Sequence, residues 1–373
     1  RLELRGELNS LWQQMVEDAH LADYLELRLG LTLDADDLTT LLTPAEQTEP
    51  ACLCVDWVAV GDRLFLLALR PGQPAYLERL PLRLSTVRTF VQDNLSRANF
   101  RSNLRDTPEV LHDLAPLIAP LATLSHPEEL LILCPTGPLH ALPLHILEIN
   151  GEPLLVRNPV VYCPSLNVLR YCLARRRQYE GIPTAAVFGD PNGDRADATQ
   201  LVAHLEQRLQ TKALVNEAVT RQAFTAAIAG QDFIHFQGHA VHEPKDPLAS
   251  YLALADTKLT AREVFSLPDL QADLVALAAC ESAANVIATG DEPLGLIPAF
   301  LYAGTNSVLA TLWKVQQKSA ALTMQLFYDR LLDSQNIVHK AEALRQAMLT
   351  VRETPGFESP YYWAPFILNG DWF

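Results

Sequence analysis

Two short apolar runs, each followed at once by a reactive side chain, constrain the fold of this chain more than any other feature. Residues 232–237 (DFIHFQ) are followed by Gly238 and His239, and residues 273–279 (DLVALAA) are followed by Cys280. Each run has the length and apolar character of a strand buried on both faces. In a parallel sheet the carboxyl ends of such strands share one edge, where function collects. A thiol beside an imidazole at that edge suits covalent acyl transfer.

The pattern along the chain predicts an α/β fold. From residue 184 onward strands and helices alternate, beginning with a strand at 185–189 and a helix over 197–211. Repeated strand–helix–strand units predict a doubly wound, mostly parallel sheet flanked by helices. Earlier in the chain, residues 51–70 predict a β-hairpin and residues 130–135 a further buried strand, with helices near 84–97 and 107–123. Leucines at helical spacing predict a helical arm over residues 1–50.

Composition and charge argue against binding of nucleic acid and against a membrane span. The net charge of −15 argues against direct binding of nucleic acid, because phosphate contacts need a basic surface. We expect no membrane span, since no long uncharged apolar run occurs. The six cysteines show no disulfide framework, so we expect buried thiols in a reducing cytoplasm, with Cys280 as the exception. The start at Arg1 instead of methionine is compatible with missing upstream sequence.

Three histidines in an HxxxHxxH pattern offer an alternative metal site. They are His235, His239 and His242. The predicted strand ends before His239, and the nearby Glu243 and Asp246 complete no recognised ligand spacing. We therefore favour a Cys–His dyad and expect neither a metal nor another cofactor.

Several spaced motifs carry a family resemblance. They are residues 135–143 (PTGPLHALP), 234–240 (IHFQGHA), 277–282 (LAACES), 290–296 (GDEPLGL), 303–313 (AGTNSVLATLW) and 363–372 (WAPFILNGDW). In this order they resemble the motifs of CHAT domains, the caspase-like cysteine proteases related to separase. Ala240 stands where the family usually has glycine, a change that keeps the backbone N–H group.

The resemblance implies a caspase-like fold in two lobes. A degenerate lobe over 51–180 would follow the arm, and a catalytic lobe over 181–373 would carry the dyad. The implied activity is that of a cytoplasmic cysteine endopeptidase acting on protein substrates. Cys280 would attack the scissile carbonyl while His239 moves the proton, and the N–H groups of Ala240 and Cys280 would hold the oxyanion. Family members often lie beside helical repeats that gate them, so a helical-repeat or effector partner is expected. The alternative is a catalytically degenerate CHAT scaffold that only docks partners.

Four side chains are candidates for substrate binding. Trp313 would wall a subsite upstream of the cut or, equally, pack in the core. Asp190, Asp291 and Glu292 lie in loops expected near the catalytic edge, where a carboxylate shielded from water would favour Arg or Lys before the scissile bond. Alternatively, all three are solvated loop acids. Because Asp291 and Glu292 also precede a helix expected at Pro293, where the helix dipole favours acids, Asp190 ranks first.

Overall fold

An eleven-stranded mixed sheet forms the centre of the computed structural model. The structure describes residues 33, 35–43, 50–95, 104–176, 181–243, 245–267, 270–279, 286–287, 293–314, 316–336 and 338–373. The strand order is β3-β2-β1-β4-β7-β18-β17-β14-β10-β8-β9. The strands are β1 (Cys52–Val60), β2 (Arg63–Leu69), β3 (Tyr76–Arg83), β4 (Leu130–Cys134), β5 (Glu148–Ile149), β6 (Glu152–Pro153), β7 (Val160–Tyr162), β8 (Ala185–Gly189), β9 (Leu214–Val215), β10 (Phe233–Gly238), β11 (Ala240–Val241), β12 (Tyr251–Ala253), β13 (Lys258–Thr260), β14 (Leu274–Ala279), β15 (Val286–Ile287), β16 (Pro293–Leu294), β17 (Ser307–Thr311) and β18 (Phe366–Gly370).

Helices flank this sheet. The α-helices are α1 (Ala35–Leu42), α2 (Leu84–Asn94), α3 (Leu121–Leu124), α4 (Leu154–Arg157), α5 (Leu166–Ala174), α6 (Ala196–Arg208), α7 (Arg221–Ala227), α8 (Ala261–Val264), α9 (Leu296–Tyr302), α10 (Gln317–Leu331), α11 (Lys340–Arg352) and α12 (Pro360–Trp363). Short 3-10 helices span Pro108–Leu117, Gly137–Ala141, Leu144–Ile146, Asn216–Ala218 and Pro247–Ala249. None of the described helices has the length and apolarity needed to cross a bilayer.

Two parallel blocks of strands run in opposite directions, and β2 and β3 form an antiparallel extension at one end of the sheet. β1, β4, β7 and β18 pair in parallel, and so do β17, β14, β10, β8 and β9. β18 and β17 are antiparallel to each other. The carboxyl ends of β8, β10, β14 and β17 therefore share one edge, opposite to the edge where β4 and β7 end.

The mostly parallel α/β sheet is confirmed. β8, β10, β14 and β17 are buried along their whole length, as expected of strands with helices on both faces. The boundaries of the two predicted lobes stay a prediction, since the sheet runs through both of them.

Three details of the sequence interpretation are wrong. The helix expected over 107–123 is a 3-10 helix that ends at Leu117, followed by the single turn α3, because Pro116 and Pro120 lack the N–H groups of a continuous α-helix. The edge strand β3 was not expected. The helix expected at Pro293 begins at Leu296, after the short strand β16, so the helix-dipole argument for the preceding acids does not hold.

A buried ion pair lies at the edge of the sheet where β14 begins. The Lys340 ammonium lies 2.9 Å from both carboxylate oxygens of Asp273, the residue directly before β14. Their side chains are 1% and 3% exposed. Burial raises the pKa of Asp273, and the charge of Lys340 opposes that rise. The pair fixes the start of β14 to the amino end of α11.

Candidate active site

The parallel pairing of β10 and β14 aligns the strand ends that precede the two expected catalytic residues. Gly238 is paired with Ala279, and these residues directly precede His239 and Cys280 in the sequence. Cys280 itself lies outside the described residues. The end of β14 is held from the other side by Thr311 of β17, whose hydroxyl donates to the carbonyl of Ala279 at 2.7 Å. Sequence reasoning did not single out Thr311.

A tight turn after β8 carries the neighbouring loop towards β10. Asp190 adopts a φ of 45°, and the N–H of Gly193 donates to its carbonyl at 3.0 Å. Pro191 occupies the second position of this turn, where its fixed φ is favoured. The N–H of Asp190 also donates to the carbonyl of Gln237 at 2.7 Å, which ties the turn to the end of β10.

Asp190 differs from the expected pocket acid. Its side chain is buried and accepts backbone N–H groups from Asp194 at 3.1 Å and from Arg195 at 2.8 Å. A carboxylate that accepts two amides of its own loop stabilises the loop. A role of Asp190 in choosing the substrate stays a prediction.

The loop after β8 also binds Gly238, the residue before His239. The buried guanidinium of Arg195 donates to the carbonyl of Gly238 at 2.7 Å. Gly238 itself allows a close approach, because an added Cβ would lie 3.1 Å from Cδ of Pro191 and 2.8 Å from the ring of Phe236. The backbone that leads into His239 is thus fixed by the loop after β8.

The imidazole of His239 has a carboxylate partner that sequence reasoning missed. Its Nε2 lies 3.0 and 3.1 Å from the two carboxylate oxygens of Asp194. The side chains of His239 and Asp194 are 33% and 57% exposed. The hydrogen bond from His239 holds the pKa of Asp194 below its ordinary value. The acid expected in this loop was Asp190, four residues away; only the folded turn brings Asp194 to the histidine.

Ala240 begins the short strand β11. It is opposite Leu252 of β12, and the N–H of Ala253 donates to the carbonyl of His239 at 2.9 Å. The Ala240–Leu252 pair is therefore a non-hydrogen-bonded pair of the ladder, and the N–H of Ala240 points away from β12. This direction is compatible with an oxyanion donor, which stays a prediction.

The three histidines of the HxxxHxxH pattern do not converge. His235 is buried with Nδ1 3.2 Å from the hydroxyl of Tyr328, and burial lowers its pKa to about 3. His239 contacts Asp194, whereas Nδ1 of His242 lies 3.4 Å from the hydroxyl of Ser250. Across the part of the chain that the structure describes, no cluster of three His, Cys, Asp or Glu side chains is arranged to hold a metal ion.

Of the remaining three candidates, Trp313 belongs to the described residues. Trp313 is buried, and its indole N–H donates to the carbonyl of Tyr361 at 3.0 Å. This contact favours packing in the core over a subsite wall. Asp291 and Glu292 lie outside the described residues.

Comparison with known proteins identifies the family. The family model described as the CHAT domain matches residues 110–371. The chain belongs to the CHAT domain family. The matched segment contains β4 to β18, five of the six motifs that carried the resemblance and the sixth up to Asp371, so the family assignment made from the sequence is confirmed.

This chain is similar in sequence to two curated proteins. It is 28% identical over 181 residues to tetratricopeptide repeat protein 28 of Homo sapiens, covering 47% of this chain and 7% of the relative. It is 34% identical over 117 residues to the Mus musculus protein of the same name, covering 31% and 5%. The chain thus spans a small part of the length of both relatives.

The fold is similar to that of separase. The structure of the Saccharomyces cerevisiae separase–securin complex covers 86% of this chain with a TM-score of 0.60, at 12% sequence identity and over 30% of the separase chain. At this identity the likeness supports the caspase-like fold and no statement about activity.

Proposed function

We propose that this CHAT domain is a caspase-like cysteine endopeptidase that uses Cys280 as nucleophile and His239 as its acid–base partner. The observation that carries the proposal is the register of β10 on β14, because Gly238 and Ala279 are paired and the two reactive residues follow them directly. The hydrogen bond from Thr311 to Ala279 supports it by fixing the end of the second strand. The N–H groups of Ala240 and Cys280 would bind the oxyanion.

The reactivity of the cysteines provides a direct test. Five cysteines are buried, and burial raises the pKa of the Cys163 and Cys172 thiols well above the ordinary value. Since the thiolate is the nucleophile, we expect a peptide-based cysteine electrophile to add once to the folded protein and to as many as six sites after unfolding. Cys280→Ala should remove the single addition in the folded state. Equal labelling of folded wild type and variant would contradict the proposal.

The dyad should also behave as a unit in cleavage. Cys280→Ala and His239→Ala should each abolish peptide-bond cleavage, and the double variant should be no worse than either one. His242→Ala is the matched control, because Nδ1 of this neighbouring histidine lies 3.4 Å from the hydroxyl of Ser250. Cleavage that survives Cys280→Ala would refute the assignment, and an equal loss in His242→Ala would revive the metal hypothesis.

We further propose a protein substrate and a protein regulator. The separase of similar fold was solved in complex with securin, and the curated relatives are named for tetratricopeptide repeats. A helical-repeat or effector partner would therefore control the site. A thiol nucleophile with further unpaired cysteines suits a reducing cytoplasm.

A CHAT scaffold without activity is the second candidate. The observation that favours it is that the relatives matched by sequence are named for a repeat and for no activity. The two candidates differ in the labelling experiment, because a scaffold has no reason to keep one cysteine far more reactive than five buried ones. Capture of a binding partner by wild type and by Cys280→Ala alike, without any cleavage, would support the scaffold.

A further inference from the structure

The carboxylate at His239 comes from a loop that is built to present it. Asp194 lies in the loop after β8, whereas His239 follows β10, and 45 residues separate the two in the sequence. The backbone N–H of Asp194 donates to the carboxylate of Asp190, which fixes the residue that carries the contact. Arg195, the next residue, anchors the loop to the carbonyl of Gly238. The two ends of the Asp194–His239 contact are therefore held by one rigid set of hydrogen bonds.

The contact with Asp194 also determines which ring nitrogen of His239 carries the proton. With Nε2 turned to the carboxylate, a neutral His239 carries its proton on Nε2 and leaves Nδ1 as the acceptor. We propose that Asp194 is a positioning residue that holds His239 in this tautomer and stabilises the imidazolium formed when Cys280 loses its proton. This inference rests on the proposed function and adds a third residue to the dyad.

The proton balance of this step is simple. The S–H bond of Cys280 breaks and an N–H bond forms on Nδ1 of His239, giving a thiolate and an imidazolium whose Nε2–H donates to Asp194. After attack on the scissile carbonyl, the Nδ1 proton passes to the leaving amine. Asp194 stays ionised throughout, which agrees with the lowered pKa that the hydrogen bond from His239 gives it.

Other charged groups lie close enough to matter in any pH experiment. Arg195 is on the same loop and contributes a positive charge near Asp194. His242 and Glu243 follow His239 by three and four residues. Asp194 could instead bind a basic side chain of the substrate, because its carboxylate is more than half exposed. The experiment must separate these roles.

Alkylation by iodoacetamide separates a role in positioning His239 from a role in binding substrate, because this small neutral reagent needs no substrate pocket. We would measure the rate of modification of Cys280 from pH 5 to pH 9 in wild type, Asp194→Asn, Asp194→Glu and Asp246→Asn. Asp246 is the matched control, since its side chain is 58% exposed and its partner Arg262 is 3.7 Å away. The amide of Asn keeps the shape of Asp194 but removes its charge.

We expect Asp194→Asn to slow alkylation near neutral pH by about three- to fivefold, in keeping with an ion pair that is more than half exposed. The difference from wild type should be largest near neutral pH and shrink towards pH 9, where a thiol ionises without help from the imidazolium. Asp194→Glu should restore part of the rate, and Asp246→Asn should match wild type. The melting temperature of each variant shows whether the fold is kept.

Three results would overturn the inference. Asp194→Asn could match Asp246→Asn in rate and profile, or it could slow alkylation equally at every pH, as a purely structural change would. It could also keep the wild-type alkylation and lose only the cleavage of peptides with Arg or Lys before the scissile bond, which would make it a substrate-binding acid. If Cys280 of the wild type shows no preferential labelling, the proposed function fails first and this inference with it.

Discussion

Removal of the ammonium group of Lys340 should destabilise the protein far more than removal of a surface charge. Lys340 and Asp273 are almost completely buried and are 2.9 Å apart at both carboxylate oxygens. Lys340→Met leaves the carboxylate of Asp273 buried without its partner, which costs about 3–5 kcal/mol of unfolding free energy. The exposed pair of Arg262 and Asp246, with 3.7 Å between N and O, should contribute less than about 1 kcal/mol.

Denaturant unfolding of Lys340→Met, Arg262→Met and the double variant Lys340→Met/Asp273→Asn measures these terms. The double variant should recover more than half of the loss, because it removes the unpaired charge and keeps an amide beside Asn306. The melting temperature of Lys340→Met should fall by about 6–10 °C, taking about 2 °C per kcal/mol for a chain of this size.

The dependence on pH gives a second check. Burial raises the pKa of Asp273 in the folded protein above the ordinary value of 3.8. A carboxyl group with a raised folded-state pKa contributes stability that is fully present below its unfolded-state pKa and is lost as the pH rises through the folded-state value. Because the charge of Lys340 opposes this rise, the pKa of Asp273 should be higher still in Lys340→Met. Protonation then relieves the variant at a higher pH than wild type, and its deficit should shrink as the pH falls from 7 towards 4. A loss below about 1 kcal/mol at pH 7, or a double variant no more stable than the single one, would refute the reasoning.

Three further outcomes are expected. Trp313→Ala should lower the unfolding free energy by about 3–5 kcal/mol, because it empties a buried site; unchanged stability with altered selectivity at the second to fourth upstream positions would instead make it a subsite wall. Arg345→Lys should cost about 1–3 kcal/mol in denaturant unfolding, since lysine lacks the fork that donates to the carbonyls of Leu155 and Val156; a stability equal to wild type would show that these bonds contribute nothing. A peptide library should reveal a preference for Arg or Lys before the scissile bond, and Asp190→Ala should lower cleavage of all peptides alike because Asp190 holds its loop; a preference for Asp would exclude the acidic pocket.

The strands β8, β10, β14 and β17 could be predicted closely because they are buried on both faces. Such a strand is a continuous apolar run, and β8 lies at Ala185–Gly189, where the sequence placed it. The sequence does not reveal the edge strand β3, because most of its residues are exposed and it contains charged residues and a proline. Such a segment resembles a loop. The spacing of the leucines in the segment 107–123 predicts one helix, but Pro116 and Pro120 interrupt its hydrogen bonds.

The sequence by itself determined the chain order of the site. The buried run before His239 and the buried run before Cys280 end at one edge, provided that the strands are parallel neighbours, and the pairing of Gly238 with Ala279 provides that. Strand burial and parallel pairing depend on local patterns, which are written in consecutive residues.

Only the tertiary structure decided which acid meets the histidine. Asp190 and Asp194 lie four residues apart on one loop, and composition does not distinguish them. The turn at Asp190, with its φ of 45°, directs its carboxylate back onto the loop's own N–H groups and brings Asp194 to His239. A side-chain contact across 45 residues depends on the packing of two strands and a turn together, and no periodicity in the sequence records it.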